Sequence, residues 1–229
     1  MPEVDLAKSS VRALNAQLHG LARDTNETQW RVRHPRGQHS LAVGLSAPVV
    51  VEIDGHVGYY CAGMNQAATI IVNGNAGPGV AENMMSGKVW VKGDASQAAG
   101  ATGCGGLLVI DGNASARCGI SMKGIDIVVK GDVGHLSAFM AQAGNLVVLG
   151  DSGEALGDSI YEARLFVRGQ VHGLGADCIE KPMADRHKAE LRRLLDAADL
   201  SGEVDVGEFR RYGSARQLYH FHIDKAGSY

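Results

Sequence analysis

The amino-acid sequence predicts an all-β protein, a right-handed parallel β-helix (a single-stranded solenoid) of about seven 19-residue coils with a capping helix at each end. Three observations lead there. A short apolar run closed by glycine recurs seven times, each glycine 19 residues after the last, from VEIDG at Gly55 to LFVRG at Gly169. The composition holds 31 glycines but only 5% aromatic residues, which suits many short, tightly turned strands better than a bulky core. Amphipathic segments of helical period flank the repeats on both sides.

The first region, residues 1–48, reads as an N-terminal helix and cap. Behind the possible N-caps Ser9 and Ser10, Val11, Leu14, Leu18 and Leu21 fall at steps of three and four residues, the pattern of an amphipathic helix. Gln29 to Arg33 has the alternation of a strand and could open an eighth, irregular coil, although its spacing to the first regular glycine slips.

Residues 49–180 form the β-helix. The turn glycines are Gly55, Gly74, Gly93, Gly112, Gly131, Gly150 and Gly169. Four and two residues before each stand aliphatic pairs, Val51/Ile53 in the first coil and Leu165/Val167 in the last, whose period of two points both side chains to one face. Seven residues after each glycine the column reads Ala62, Ala81, Gly100, Gly119, Ala138, Gly157 and Ala176, which predicts a tight corner or close backbone approach. A third corner is expected near Ser86-Gly87, Gly105-Gly106, Gly124 and Gly144. Coils of this kind bury little alone, so stability must come from stacking on neighbours and from covered ends.

Residues 181–229 form a C-terminal helix and tail. Following Pro182, Asp185 to Leu200 places Leu191, Leu194, Leu195 and Ala198 on one helical face.

Charge and motif content narrow the chemistry. A formal charge of -3 without a basic stripe disfavours nucleic acid. The first 20 residues lack an export signal and no 18-residue apolar stretch occurs, so the expected location is the cytoplasm, without a membrane span. Cys61, Cys104, Cys118 and Cys178 are widely spaced and read as reduced thiols, not as a zinc or dithiol motif.

The residue after each turn glycine is polar: His56, Asn75, Asp94, Asn113, Asp132, Asp151 and Gln170. Stacked carboxylates could hold a cation, but Asn and Asp beside glycine are also what a turn prefers on backbone grounds. The outward column three residues before the glycine is unexpectedly apolar: Ile71, Trp90, Val109, Val128, Val147 and Phe166. It must be covered, either by a terminal helix or by a partner subunit anchored on Trp90 and Phe166. The histidines do not stack; His220 and His222 share a strand-like face near the end and read as surface or packing residues. GATGCGG, from Gly100 to Gly106, looks like a dinucleotide loop in isolation, yet its place in the 19-residue register makes it a pair of corners.

Gly55, Gly58 and Gly63 fit a G-x-x-G-x-x-x-G pattern that Gly131-Gly134 and Gly150-Gly153 repeat in part. With the KPMADRHKAELRRLL helix and the tail, the sequence resembles the β-helix family of the C-terminal domain of the large glutamate synthase subunit, and is most similar to the free-standing β-helix subunit of N-methylglutamate synthase. The resemblance implies a scaffolding subunit with no catalytic, cofactor-binding or metal-binding residue of its own. It implies an amidotransferase-like partner and an FMN-binding glutamate synthase-like partner in a hetero-oligomer, FMN being held by the latter. The same resemblance extends to a β-helix subunit of formylmethanofuran dehydrogenase and formyltransferase/hydrolase complexes, the alternative home.

Overall fold

A computed structural model of the protein describes residues 1–215, and the fold is a parallel β-solenoid. Strand β1 (Glu3–Asp5) leads into helix α1 (Val11–His19), and β2 (Gln29–Arg33) then starts a stack in which every strand lies parallel on the one before. The regular part comprises β3 (Val50–Asp54), β4 (Thr69–Val72), β5 (Lys88–Val91), β6 (Leu107–Ile110), β7 (Lys123–Val129), β8 (Ala143–Val148) and β9 (Arg164–Val167). From β3 to β9, apart from the start of β7, paired residues stand 19 positions apart, as in Val51 with Ile70 and Ile70 with Val89. The inward pairs, from Val51/Ile53 to Leu165/Val167, are fully buried and form continuous aliphatic ladders. The first coil is the irregular one: Trp30 pairs with Val51, a step two residues longer than the others.

Two corners explain why the repeat tolerates so little variation. At the turn glycines the reason is space. A Cβ on Gly74 would stand 2.7 Å from the carbonyl carbon of Gly55, and one on Gly150 would stand 2.7 Å from that of Gly131. The column is a close stack of backbone, and from Gly93 to Gly169 each glycine N–H donates to the glycine carbonyl below it, as Gly93 does to Gly74 at 3.1 Å and Gly150 to Gly131 at 3.0 Å. Two residues later single parallel bridges link Val57, Ala76, Ala95, Ala114, Val133, Ser152 and Val171.

The small column behaves differently. Ala62, Ala81, Gly100, Gly119, Ala138 and Gly157 are buried, and all have left-handed backbone with φ between 56° and 68°. Each is the middle of a triplet of alternating left-handed residues, such as Tyr60, Ala62 and Met64 or Ala98, Gly100 and Thr102. The limit on side-chain size comes from across the core, since a Cβ on Gly100 would meet Ile127 Cδ1 at 2.6 Å and one on Gly157 would meet Leu165 Cδ1 at 2.9 Å. Ala176, at the end of the stack, is exposed. The triplets bond alternately forward and back: Ala98 donates to Ala116 and Thr102 to Ile120 in the next coil, while Gly100 donates to Val80 in the previous one.

The third side begins at a bend where Gly87, Gly106 and Gly144 take φ of 84°, 83° and 98°. In β7 the register slips between Lys123 and Asp126, and Gly124 sits at that slip.

Helix α1 closes the N-terminal end. Ser10 caps it, its hydroxyl accepting from Ala13 N–H at 3.2 Å. Leu14 and Leu18 are buried on the first coil, and Asn15 satisfies its open backbone by donating to Ser40 carbonyl at 2.8 Å and accepting from Ala42 N–H at 3.0 Å. The other end is closed by chain reversal. Strand β10 (Cys178–Lys181) is followed by helix α2 (Asp185–Ala197), a 3-10 turn at Val206–Glu208 and β11 (Arg210–Ser214), which inserts antiparallel between β9 and β10. No helix among the described residues is long and apolar enough to cross a membrane.

Candidate functional site

Helix α2 covers the apolar stripe. Leu191, Leu194, Leu195 and Ala198, joined by Leu200, Val206 and Phe209, pack on Trp90, Val109, Val128, Val147 and Phe166, with Ile71 half-buried at the margin. Val109, Val128, Val147 and Phe166 are 0% exposed and Trp90 is 7% exposed. The stripe is thus occupied by this chain's own C-terminal region, and the reading of those six residues as a partner interface is corrected: they form a second core.

The fit has a geometric basis. One helical turn advances about 5.4 Å and one coil about 4.8 Å, so a helix laid along the stack meets each coil with roughly one turn. The column five residues before each turn glycine shows this directly. Lys88 donates to Ala197 carbonyl at 2.8 Å, at the C-terminal end of α2, where a cation complements the helix dipole. Two coils on, Asp126 accepts from Arg193 at 2.8 Å, and in the next coil Asn145 donates to Glu190 at 3.2 Å and to Asp126 at 2.7 Å. The Arg193 guanidinium, bonded to Glu190 as well, holds that carboxyl below its usual range.

Trp90 carries a polar setting of its own. Its indole N–H donates to Asp111 at 2.9 Å, and Lys92 and Lys88 lie 3.5 and 4.1 Å from its ring centroid. Asp111 also bonds Lys130 at 2.8 Å and lies 3.5 Å from Lys92. Burial works to raise the Asp111 carboxyl, but the hydrogen bonds from Lys130 and Trp90 and the charges of Lys130 and Lys92 outweigh it and lower the group, while burial pushes the Lys88 ammonium down.

The polar column after the turn glycines forms a hydrogen-bonded ladder. His56 Nδ1 accepts from Asn75 N–H at 2.9 Å, Asn75 Oδ1 from Asp94 at 3.0 Å, Asp94 from Asn113 at 2.7 Å, Asn113 from Asp132 at 2.8 Å, Asp132 from Asp151 at 2.7 Å and Asp151 from Gln170 at 2.7 Å. From Asn75 to Asp151 one side-chain oxygen of each residue is therefore engaged by the next coil's backbone. Among the described residues no group of three His, Cys, Asp or Glu side chains is arranged to hold a metal.

The chain is 62% identical to Protein GlxC of Rhizobium meliloti (strain 1021) over 229 residues, 100% of each sequence. It belongs to the GlxC family. No protein-family model matches it. In this GlxC-family chain the cysteines are all free. Cys61, Cys118 and Cys178 are buried, which pushes their thiols up to about 12, 12 and 11, and Cys104 is exposed. His220 and His222 lie outside the described residues. The GATGCGG segment supplies the last two members of a left-handed triplet, Gly100 and Thr102, and the following bend at Gly106.

One residue that organises the GlxC-family fold escapes sequence reasoning. Asn65 is 0% exposed and brackets a bend, its amide donating to Ala68 and Ser86 carbonyls at 2.8 and 3.1 Å and accepting from Ala68 N–H at 3.2 Å. A buried Asn with all its bonds satisfied marks a specified turn, and its isolation in the sequence gives no signal. Large apolar side chains that do remain exposed include Tyr59, Met64, Met85, Met140, Leu174 and Ile179.

Proposed function

We propose that this GlxC-family chain is the β-helix subunit of a glutamate synthase-like complex, and specifically of an N-methylglutamate synthase that makes N-methylglutamate from glutamate and methylamine. Its role is to hold an amidotransferase-like subunit and an FMN-binding subunit in fixed relation, without contributing a catalytic residue. The observation that carries the reading is the unbroken 19-residue register around the turn glycines, realised as a stack of parallel coils. Near-neighbour stacking makes such a body stiff along its axis, the property a spacer between two active subunits needs. Since α2 occupies the apolar stripe, the partners meet other faces of the solenoid.

Affinity capture of the full chain from its source cell, with mass spectrometry of co-purifying chains and a visible spectrum of the complex, tests this. An amidotransferase-like chain and an FMN-binding chain with a flavin spectrum are expected. A metallohydrolase-like and a formyltransferase-like chain without flavin would transfer the protein to the formyl-transfer complexes, and a chain that purifies alone with its own activity would overturn the scaffold reading.

A further inference from the structure

The column that faces α2 matches the helix at each step except the last. Lys88 meets the negative C-terminal end, Asp126 meets Arg193 and Asn145 meets Glu190. Arg164, the next member, follows Asn145 toward the N-terminal end of α2 and lies near enough to act electrostatically on His187 in its first turn, where exposed amides favour a negative group. Ala184 at the N-cap offers no side chain to those amides.

Two more guanidiniums share the position. Arg211 of β11 pairs opposite Phe166, two residues from Arg164 along β9, so both side chains project from the face on which α2 lies, Arg211 half-buried and Arg164 exposed. The Arg211 guanidinium extends along β11 to within 4.0 Å of a Cβ built on Gly213. Arg186 is in the first turn of α2, its Nε 3.3 Å from the ring of buried His187. Among the described residues none of these arginines is in an ion pair, and the side chain of Arg164 makes no hydrogen bond. Burial, then Arg164 and Arg186, lower the Arg211 guanidinium, and the same three arginines add to burial in lowering His187. Of the acids in the first two turns of α2, Glu190 is already committed to Arg193 and Asn145, and Asp185, at the first helical position, is exposed. The contrast with Lys92 and Lys130 is instructive, because those cations surround Asp111. Beside Arg211 opens a groove of about 420 Å³, lined also by Lys181, Met183, Phe209 and Arg210, with Glu180 its one carboxylate.

We propose that Arg164, Arg186 and Arg211 form a binding site for a phosphate group, free or carried by a small molecule, at the N-terminal end of α2. Guanidinium forks and free helix amides supply the directed donors that a phosphate oxygen accepts.

The test is thermal unfolding of the full-length chain at about pH 8 with inorganic phosphate, with succinate, which like phosphate is mainly a dianion there, and with chloride at matched ionic strength. Phosphate at a hundredfold excess over its Kd should raise Tm by about 5 °C or more above the chloride control. Arg164→Gln, which removes no hydrogen bond, should leave the anion-free Tm unchanged or higher and abolish the phosphate response; Arg186→Gln, on the helix surface, should weaken it at least tenfold in apparent Kd. A wild-type response equal to that with chloride, a response to succinate but not phosphate, or an undiminished response in Arg164→Gln would overturn the proposal.

Discussion

At Gly74 an added methyl would press on backbone of the coil below, whereas at Gly119 it would meet Met122 Sδ at 3.2 Å and Ile127 Cδ1 at 3.3 Å, both at the ends of flexible side chains. The dihedral angles suggest the opposite ranking, because Gly119 has φ of 68° and Gly74 is not left-handed. Ala62, Ala81 and Ala138 already occupy the Gly119 position of other coils with the same backbone. Gly74→Ala should therefore cost about 3 kcal/mol, at the upper end for overpacking, and Gly119→Ala about 1 kcal/mol. Gly119→Leu adds bulk toward Ile127 and should cost about 2–5 kcal/mol. Urea denaturation midpoints for the three variants give the order. In the polar ladder, Asp94→Ala removes the acceptor of Asn113 N–H and should cost about 1 kcal/mol, while Asp94→Asn, which keeps an oxygen there as Asn75 and Asn113 do, should be close to neutral.

At the scale of elements, α2 is held by apolar contact with the stripe and by polar contacts along its length. Trp90→Ala should destabilise the isolated chain by about 3–5 kcal/mol, because the indole is enclosed between the sheet and the helix region. A thermal melt that leaves Trp90→Ala within a degree of the parent would mean that the helix does not hold this position. His187 adds a pH dependence. It is buried in the first turn of α2, its Nδ1 accepting from Ala184 N–H at 3.1 Å, and burial and then Arg211, Arg186 and Arg164 lower it from 6.5. A histidine lowered in the folded state takes its proton more readily when unfolded. Its contribution is thus fully present above about pH 6.5 and is lost as pH falls from there through the folded value. His187→Gln keeps an acceptor for the helix start without titrating, so melts between pH 7.5 and about 5 should show a smaller decline in the variant than in the parent.

For the molecule as a whole, the regular coils and both helices are legible in the sequence because each leaves a periodic trace: 19 residues for the turn glycines, two for the inward pairs and three to four for Leu14 and Leu18 or Leu191, Leu194 and Leu195. The left-handed triplets are only half legible. Their middle members are small, but Tyr60, Arg117 and Leu136 adopt φ of 61°, 59° and 56° with side chains that carry no signature of it. The antiparallel return of β11 between β9 and β10 is a long-range pairing with no period to reveal it. An apolar stripe and an amphipathic helix are each visible in the sequence, yet their mutual fit depends on the near match of helical turn to strand spacing, which no single segment encodes.

The constant register also makes the solenoid a ruler graduated in single strands. Excising His56 to Gly74, one whole repeat ahead of the coils under the centre of α2, would join Gly55 to Asn75 and leave every remaining inward side chain on its face. The distance between the ends would shorten by about 4.8 Å. Excising one residue fewer would turn the following strand's aliphatic pair outward at the junction. A folded nineteen-residue deletion and a collapsed eighteen-residue one, compared by circular dichroism and small-angle scattering, would show that length here changes only in whole coils, so that any separation the protein sets between its neighbours is quantised.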